Sequence, residues 1–407
     1  MLFLETRIQR YTAIGWEHMS TIIVPSNLDQ VPFDDKELLY IRVQLTPENY
    51  GSFTDKPDLL NNIRLCFFTG TPASYPRFDP GSWPYKLHAA PEQHLITNLV
   101  NNPAHLDFET ITTQRVMELK TRAEKYDTIY FFYGGGIDAT VMLCAMLINW
   151  DSYTLSKLRL VMNQNSIDEN PSVYRDYIHG KLSMIRCEDF YSGKYTLSND
   201  AIFTGGWGAD DISGYDSLPQ FDQAYPGIYK KPWRNNVDVL VEYLSSRSGE
   251  HKDGLFAFET IRTSLEKHRI EVDTVFDFLS WVPFNWGYNI GVYAMSYSFG
   301  HVPNDIDSKK WIQENCFTFY NCEEYQYWYL GTIGSEVRMG STANMYKYAA
   351  KKYIYDFNKD REYFINKLKI KSTPLNIGYS SMHRMYAVGT DYTFYYQQSP
   401  QTPWPKR

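Results

Sequence analysis

From about residue 106 the apolar positions of this chain switch repeatedly between two periods. "DFETITTQRVMELKTRAEKYD" (107–127) sets Val116, Leu119 and Ala123 at helical spacing with charges on the other face, which predicts an amphipathic helix. "TIYFFY" (128–133) is continuously apolar, β-branched and aromatic, the pattern of a strand buried on both faces. "DATVMLCAMLINW" (138–150) is apolar on nearly every side, so it predicts a buried helix. The alternation continues with a strand at "KLRLVM" (157–162), a helix at "NPSVYRDYIHGKL" (170–182), and strands at "LSMIR" (182–186) and "DAIFTG" (200–205). Strands alternating with helices predict an α/β fold with a doubly wound parallel sheet.

The flanks read differently. Residues 1–105 are rich in Pro, Asn and Asp, with short apolar-aromatic runs such as "LLYIRVQL" (38–45) and "NIRLCFF" (62–68) between turn clusters, which predicts a small β-containing N-terminal region. After the α/β core at 106–235, residues 236–407 read as a mostly helical C-terminal part. Its helices are "VDVLVEYLSS" (237–246), "LFAFETIRTSLEKH" (255–268) and "ANMYKYAAKKYIYDF" (343–357), and the tail after Pro374 shows no clear period.

Composition narrows the function classes. A net charge of -7 without a polybasic stretch gives no nucleic-acid footprint. The five cysteines contain no CxxC pair and no metal-spaced cluster with histidines, which argues against a structural zinc and a disulfide framework. No 18-residue apolar stretch occurs, and the start "MLFLETRIQRYT" has too short an apolar run for a signal peptide, so a cytoplasmic protein with no membrane partner is expected.

Two stretches carry the chemistry. In "YFFYGGGIDATVML" (130–143) a strand ends in three glycines and turns directly into a helix. The backbone N–H groups of such a helix N-terminus, with its positive dipole end, form an anion cradle that glycine lets phosphate oxygens approach. Asp138 in the first turn would repel a phosphate unless a magnesium ion bridges them; the alternative is a tight turn with Asp138 as helix cap. The second stretch, "TGGWGADDISGY" (204–215), again follows a strand and ends in the acidic pair Asp210-Asp211. If the two strands are neighbours, their carboxylates converge beside the cradle, as a magnesium-pyrophosphate site requires.

Together these stretches resemble the signature elements of the asparagine synthetase-like, PP-loop ATP pyrophosphatase family, over about residues 108–375. The family loop Ser-Gly-Gly-x-Asp-Ser stands here as Gly134-Gly135-Gly136-Ile137-Asp138-Ala139. Its second element, Gly-Asp/Glu-Gly-Ala-Asp-Glu-Leu-Phe-Gly-Gly, stands as Gly206-Trp207-Gly208-Ala209-Asp210-Asp211-Ile212-Ser213-Gly214. "NSIDENPSVYRDYI" (165–178) resembles the segment that frames the adenine, and "YKYAAKKYIYDFNKDREYFINKLKIKS" (346–372) the C-terminal Lys-rich helix and the lysine-bearing loop after it.

The resemblance implies a PP-loop (HUP-like) fold and an ATP-dependent, AMP-forming ligase. A carboxylate or carbonyl oxygen of a small-molecule substrate is adenylated, pyrophosphate leaves, and ammonia or another amine displaces AMP. On this reading ATP and Mg²⁺ are the cofactors. Gly134, Gly135, Gly136, Ile137, Asp138, Ala139, Thr140, Gly206 and Gly208 hold the nucleotide, and Asp138 and Asp210 the metal. Asp211 orients a ligand or metal-bound water, and Lys369, ahead of Lys371 and Lys367, stabilises the phosphorus in flight. The chain also departs from the pattern. Gly134 and Ala139 replace both loop serines, which leaves Thr140 as the nearby hydroxyl. Trp207 replaces an acidic residue, and no glutamate matches the family's amine-activating base. Leu2 follows Met1, so no N-terminal nucleophile glutaminase is expected, and the nitrogen comes as a free amine or from a separate glutaminase. The alternatives are a nucleobase-modifying PP-loop enzyme and a nucleotide-binding protein that has lost turnover.

Overall fold

The computed structural model describes residues 4–12, 15–24, 40–42, 77, 106–191, 200–215, 217–248, 251–287, 313–368, 384–388 and 394–396. In chain order, β1 (Leu4–Thr12) and β2 (Gly15–Val24) pair antiparallel, and β3 (Tyr40–Arg42) lies within the strand expected at 38–45. The strand expected at 62–68 lies outside the described residues. The central strands are β4 (Thr128–Phe132), β5 (Leu158–Met162), β6 (Ser183–Arg186), β7 (Ala201–Gly205) and β8 (Cys316–Thr318). After them come β9 (Arg384–Val388), which pairs antiparallel with β3, and β10 (Phe394–Tyr396), which pairs antiparallel with β9. The tail after Pro374 therefore contains strands of five and three residues, too short to display an alternation in the sequence.

The five central strands form one all-parallel sheet in the order β6-β5-β4-β7-β8. The order reverses at β4, which is compatible with a doubly wound fold and opens a crevice at the carboxyl ends of β4 and its neighbours. β4 pairs directly with β7 from Thr128 opposite Ala201 to Phe132 opposite Gly205. The two glycine-rich stretches of the sequence thus leave adjacent strands at the same edge.

Each strand of this sheet is short and, apart from the edge strand β6, mostly buried, which is why the sequence shows apolar runs there instead of alternation. One face, through Ile129, Phe131 and Tyr133, packs on α1 (Phe108–Ala123) and α2 (Ile137–Asn149). α1 starts at Asp107, whose carboxylate accepts from the Thr110 N–H at 2.7 Å. α2 buries nine of its residues, Ile137 and every position from Ala139 to Met146, as its uniform apolarity predicts. The other face carries Tyr130, Phe132 and Phe203, with the Phe190 ring set edge-on to Tyr130 and Phe132 and the Trp207 ring tilted on Phe132.

Beyond the sheet the chain is helical. A short helix, α3 (Ala209–Ser213), leads out of β7, followed by α4 (Val237–Ser248), α5 (His251–Lys267), α6 (Val275–Val282), α7 (Glu323–Gly331), α8 (Tyr348–Asn358) and α9 (Arg361–Asn366). The aromatic stretch that starts at Phe276 is core: Phe276, Phe278, Trp281, Phe284 and Trp286 are all buried. Inside it a column of flat groups runs from the Arg77 guanidinium, 4.5 Å over Phe284, through Phe284 stacked on Tyr329 at 3.7 Å, to the Arg338 guanidinium 4.4 Å over Tyr329. Arg338 ends the column in an ion pair with Asp277, and both side chains are out of contact with water.

Asp277 also accepts from the Gly334 N–H at 3.0 Å and from the Thr274 hydroxyl at 2.8 Å. Truncating one partner of a buried pair leaves the other charge uncompensated. Arg338→Leu should therefore lower the unfolding free energy by about 3–5 kcal/mol. Replacing Asp277 as well should recover a large part of that loss, both read from urea unfolding curves.

Candidate functional site

At the end of β4 the chain runs through Gly134 and Gly135 into Gly136, the residue that precedes the first turn of α2. Gly135 has φ +72°, and a Cβ on it would stand 2.1 Å from the Ser166 carbonyl oxygen and 2.8 Å from the Glu169 Cβ. Backbone conformation and space both demand glycine here. Gly136 has φ −67° and nothing within 4 Å of the place a Cβ would take, so local packing does not require a glycine. What its lack of a side chain does provide is open access to the helix start. Gly136 gives that turn no side-chain cap, and the N–H groups of a helix start point outward along its axis.

The second loop meets the first backbone to backbone. A Cβ on Gly206 would lie 2.7 Å from the Ala139 nitrogen and 3.1 Å from the Asp138 carbonyl carbon. Gly208, at φ +85°, then starts α3, whose first turn carries Asp210 and Asp211. Gly205 leaves room for the Trp207 ring, which folds back against it. Trp207 is thus engaged with Gly205 and Phe132, where the family pattern has an acidic residue.

The carboxylates that these loops deliver converge on one cation, the ammonium of Lys347. Its Nζ donates to both oxygens of Asp138, at 2.8 and 2.7 Å, and also to Oδ1 of Asp210. Lys347 is buried, whereas the side chains of Asp138 and Asp210 keep 22% and 42% of their surface accessible, so a further ligand can reach them. Burial works to lower the pKa of Lys347, and the two carboxylates more than reverse it, so the ammonium is held charged. Lys347 stands just before α8 in the left-handed region, φ 56° and ψ 40°, which a residue other than glycine adopts at a cost of about 1–2 kcal/mol. The Tyr320 hydroxyl donates to the Asp138 carbonyl oxygen at 2.8 Å and steadies the same turn.

Asp211 is buried beside this cluster and takes none of the hydrogen bonds by which Lys347 holds Asp138 and Asp210. It is 4% exposed, and burial pushes its carboxyl well above the usual carboxylate range, with the Arg77 guanidinium pulling the other way. Its Oδ1 occupies space that a side chain on Gly287 would fill, since a Cβ there would lie 3.0 Å away. Arg77 itself is fixed by its N–H to the Asn285 carbonyl at 2.8 Å and its Nε to the Phe284 carbonyl at 2.8 Å. Asp211 therefore faces the 283–287 turn of the helical part.

Thr140 is placed inward. Its hydroxyl meets the Tyr133 hydroxyl at 3.2 Å, donates to the Gly135 carbonyl at 3.4 Å and accepts from the Asn170 amide at 3.5 Å. It is fully buried and holds the loop from beneath, while Ile137 and Ala139 are also buried. Lys369 and Lys371 lie outside the described residues. Lys367 is described, and its ammonium donates to the Glu169 carbonyl at 2.6 Å and to the Glu169 carboxylate in a buried ion pair.

One turn after Lys347 on α8, Lys351 donates to the Asn344 and Lys367 carbonyl oxygens, the latter at 2.7 Å. Lys347 stands at the cap position that starts the helix and Lys351 lies in its first turn. α8 thus grips the glycine loops twice: directly through Lys347, and through Lys351, the 367 backbone, Lys367 and Glu169, which packs on Gly135. Neither Lys347 nor Lys351 stands out in the sequence as a site residue. The available signal is that Lys351 falls among the buried positions Ala350, Tyr353 and Ile354 of an amphipathic helix.

The residues fit a magnesium ion shared with phosphates. Two carboxylates reach one cation position, and Mg²⁺ is ordinarily held by one or two carboxylates, substrate phosphates and water. Among the described residues no group of three or more His, Cys, Asp or Glu side chains is arranged to hold a metal, so the remaining ligands would come from nucleotide and solvent.

Two outcomes test this geometry. Gly135→Ala should destabilise the fold by about 2 kcal/mol or more, through the left-handed backbone and the Ser166 clash, while Gly136→Ala should leave the unfolding midpoint nearly unchanged. Lys351 supplies the second. Burial, with Lys367 and Lys347 beside it, lowers its pKa from 10.5 to about 7. Between those values the unfolded chain binds the extra proton, so this group makes stability rise with pH by up to about 1.4 kcal/mol per pH unit. In urea unfolding at a series of pH values, Lys351→Met should remove that component of the slope. No family model, no curated protein and no solved structure matches this chain.

Proposed function

We propose that the protein is an ATP-dependent, AMP-forming ligase of the asparagine synthetase-like, PP-loop type. It adenylates a carboxylate or carbonyl oxygen with release of pyrophosphate, and ammonia or another amine then displaces AMP. The observation that carries this reading is the meeting of Asp138 and Asp210 on one cation beside an uncapped helix start. Such a site suits a metal-bound polyphosphate at the sheet's switch point.

The chain's own groups divide the work. The N–H groups at Gly136 and the first turn of α2 bind the β- and γ-phosphates that depart as pyrophosphate, and Gly136 lets those oxygens come close. Asp138 and Asp210 would hold Mg²⁺, which would supply neutralisation of the charge that builds on the leaving pyrophosphate. Thr140, Tyr133 and Asn170 brace the loop from the core side, so its donors need no rearrangement when the phosphates arrive. A nucleotide-binding protein without turnover is the second reading, favoured by an ammonium that already pairs with both carboxylates proposed to hold the metal.

The test is incubation with α-labelled ATP, Mg²⁺, ammonia and a panel of small carboxylates. AMP and pyrophosphate should form in equal amounts. Asp138→Asn should reduce AMP formation by about 100-fold or more, the loss expected when transition-state charge is left without several kcal/mol of stabilisation. ATP-dependent thermal stabilisation without AMP, across the panel, would favour the second reading. Neither AMP nor any shift with ATP refutes both.

A further inference from the structure

Lys347 sits where the proposed reading needs a metal. An ion about 2.1 Å from an oxygen of each carboxylate would fall on the space that the ammonium fills, since Nζ lies 2.7–2.8 Å from both oxygens of Asp138 and also contacts Asp210. The two cations exclude one another. The ammonium is also not a casual visitor. Its side chain is 5% exposed, its backbone is held in the left-handed region at the start of α8, and Lys351 anchors the same helix one turn on. Withdrawing it costs those contacts and leaves a lysine charge in a buried place.

We propose that Lys347 is a built-in competitor for the divalent cation. It occupies the Asp138–Asp210 position so that these carboxylates reject bare metal and take it only together with a nucleoside triphosphate. This rests on the ligase reading above. The physical reason is charge. A bare divalent ion gains two carboxylates but must displace, or stand beside, a buried ammonium, and at close range that repulsion amounts to several kcal/mol even at an effective dielectric constant near 20. A metal–triphosphate complex brings its own anionic oxygens, which complete the coordination shell and give the displaced ammonium a new counter-charge. Metal and nucleotide binding become coupled, in both directions alike. The cell's free Mg²⁺ then does not fill the site between turnovers.

The test is Mn²⁺ binding, with free Mn²⁺ measured by its paramagnetic resonance signal, on the full chain without and with ATP. Without ATP the wild type should bind Mn²⁺ weakly. Lys347→Met should bind it at least about 10-fold more tightly, and adding Asp138→Asn to that variant should abolish the gain. With ATP the wild type should bind Mn²⁺ tightly. Lys347→Gln keeps N–H donors for the two carboxylates and removes the charge. It should show the same gain and carries the test should the Met variant fail to fold by circular dichroism. Wild-type affinity for Mn²⁺ that matches the Lys347 variants without ATP overturns the competition alone. No Mn²⁺ binding by any form, even with ATP, overturns both the competition and the ligase reading.

Discussion

The constraint on which the site depends is a contact between two stretches of main chain. Gly206 lies against the backbone of Asp138 and Ala139 so closely that no side chain fits between them. That approach exists because β4 and β7 are parallel neighbours whose ends are in register, Phe132 opposite Gly205. From it follows the rest of the geometry. α2 and α3 begin side by side, their first turns carry Asp138 and Asp210, and one ammonium spans both. Any residue larger than glycine at 206 would part the loops and the carboxylates with them.

The helical part is not an appendage to this arrangement. α8 supplies Lys347 to the carboxylates and Lys351 to the segment that holds Glu169 against Gly135. The glycine loop is therefore held from below by hydroxyls and amide, from one side by Gly206, and from the other by the Ser166–Glu169 turn. Buried polar groups of this kind are stabilising only when every partner is present, and they fix one conformation where an apolar filling would accept several. A loop so braced is suited to a ligand whose charge must be met by donors already in position.

Much of this was legible in the sequence because strand, glycine turn and helix follow one another within fourteen residues. The run of buried residues in "TIYFFY" and "DATVMLCAMLINW" points to a parallel sheet with a covering helix, and the paired acidic stretches form one site on the condition that their strands are neighbours, as β4 and β7 are. The cation was not legible, because a lysine on a helix ordinarily reads as a solvated charge. Only the three-dimensional meeting of residues more than a hundred positions apart turns Lys347 into a site residue. Thr140 shows the opposite limit. Its place in the motif suggests a phosphate contact, but four residues before Cys144 it shares the core-facing side of α2 and points inward. The strand pairing of the chain's two flanks likewise depends on short segments with no local pattern.

Arg77 gives the division of the chain into regions a different meaning. It belongs by sequence to the N-terminal region, yet its guanidinium lies over Phe284, two hundred residues away, and its charge offsets that of the buried Asp211. Residue 77 is thus part of the packing of the helical body. A gene fusion or duplication that carried the body away without residue 77 would take with it a bared aromatic ring and a stranded carboxylate.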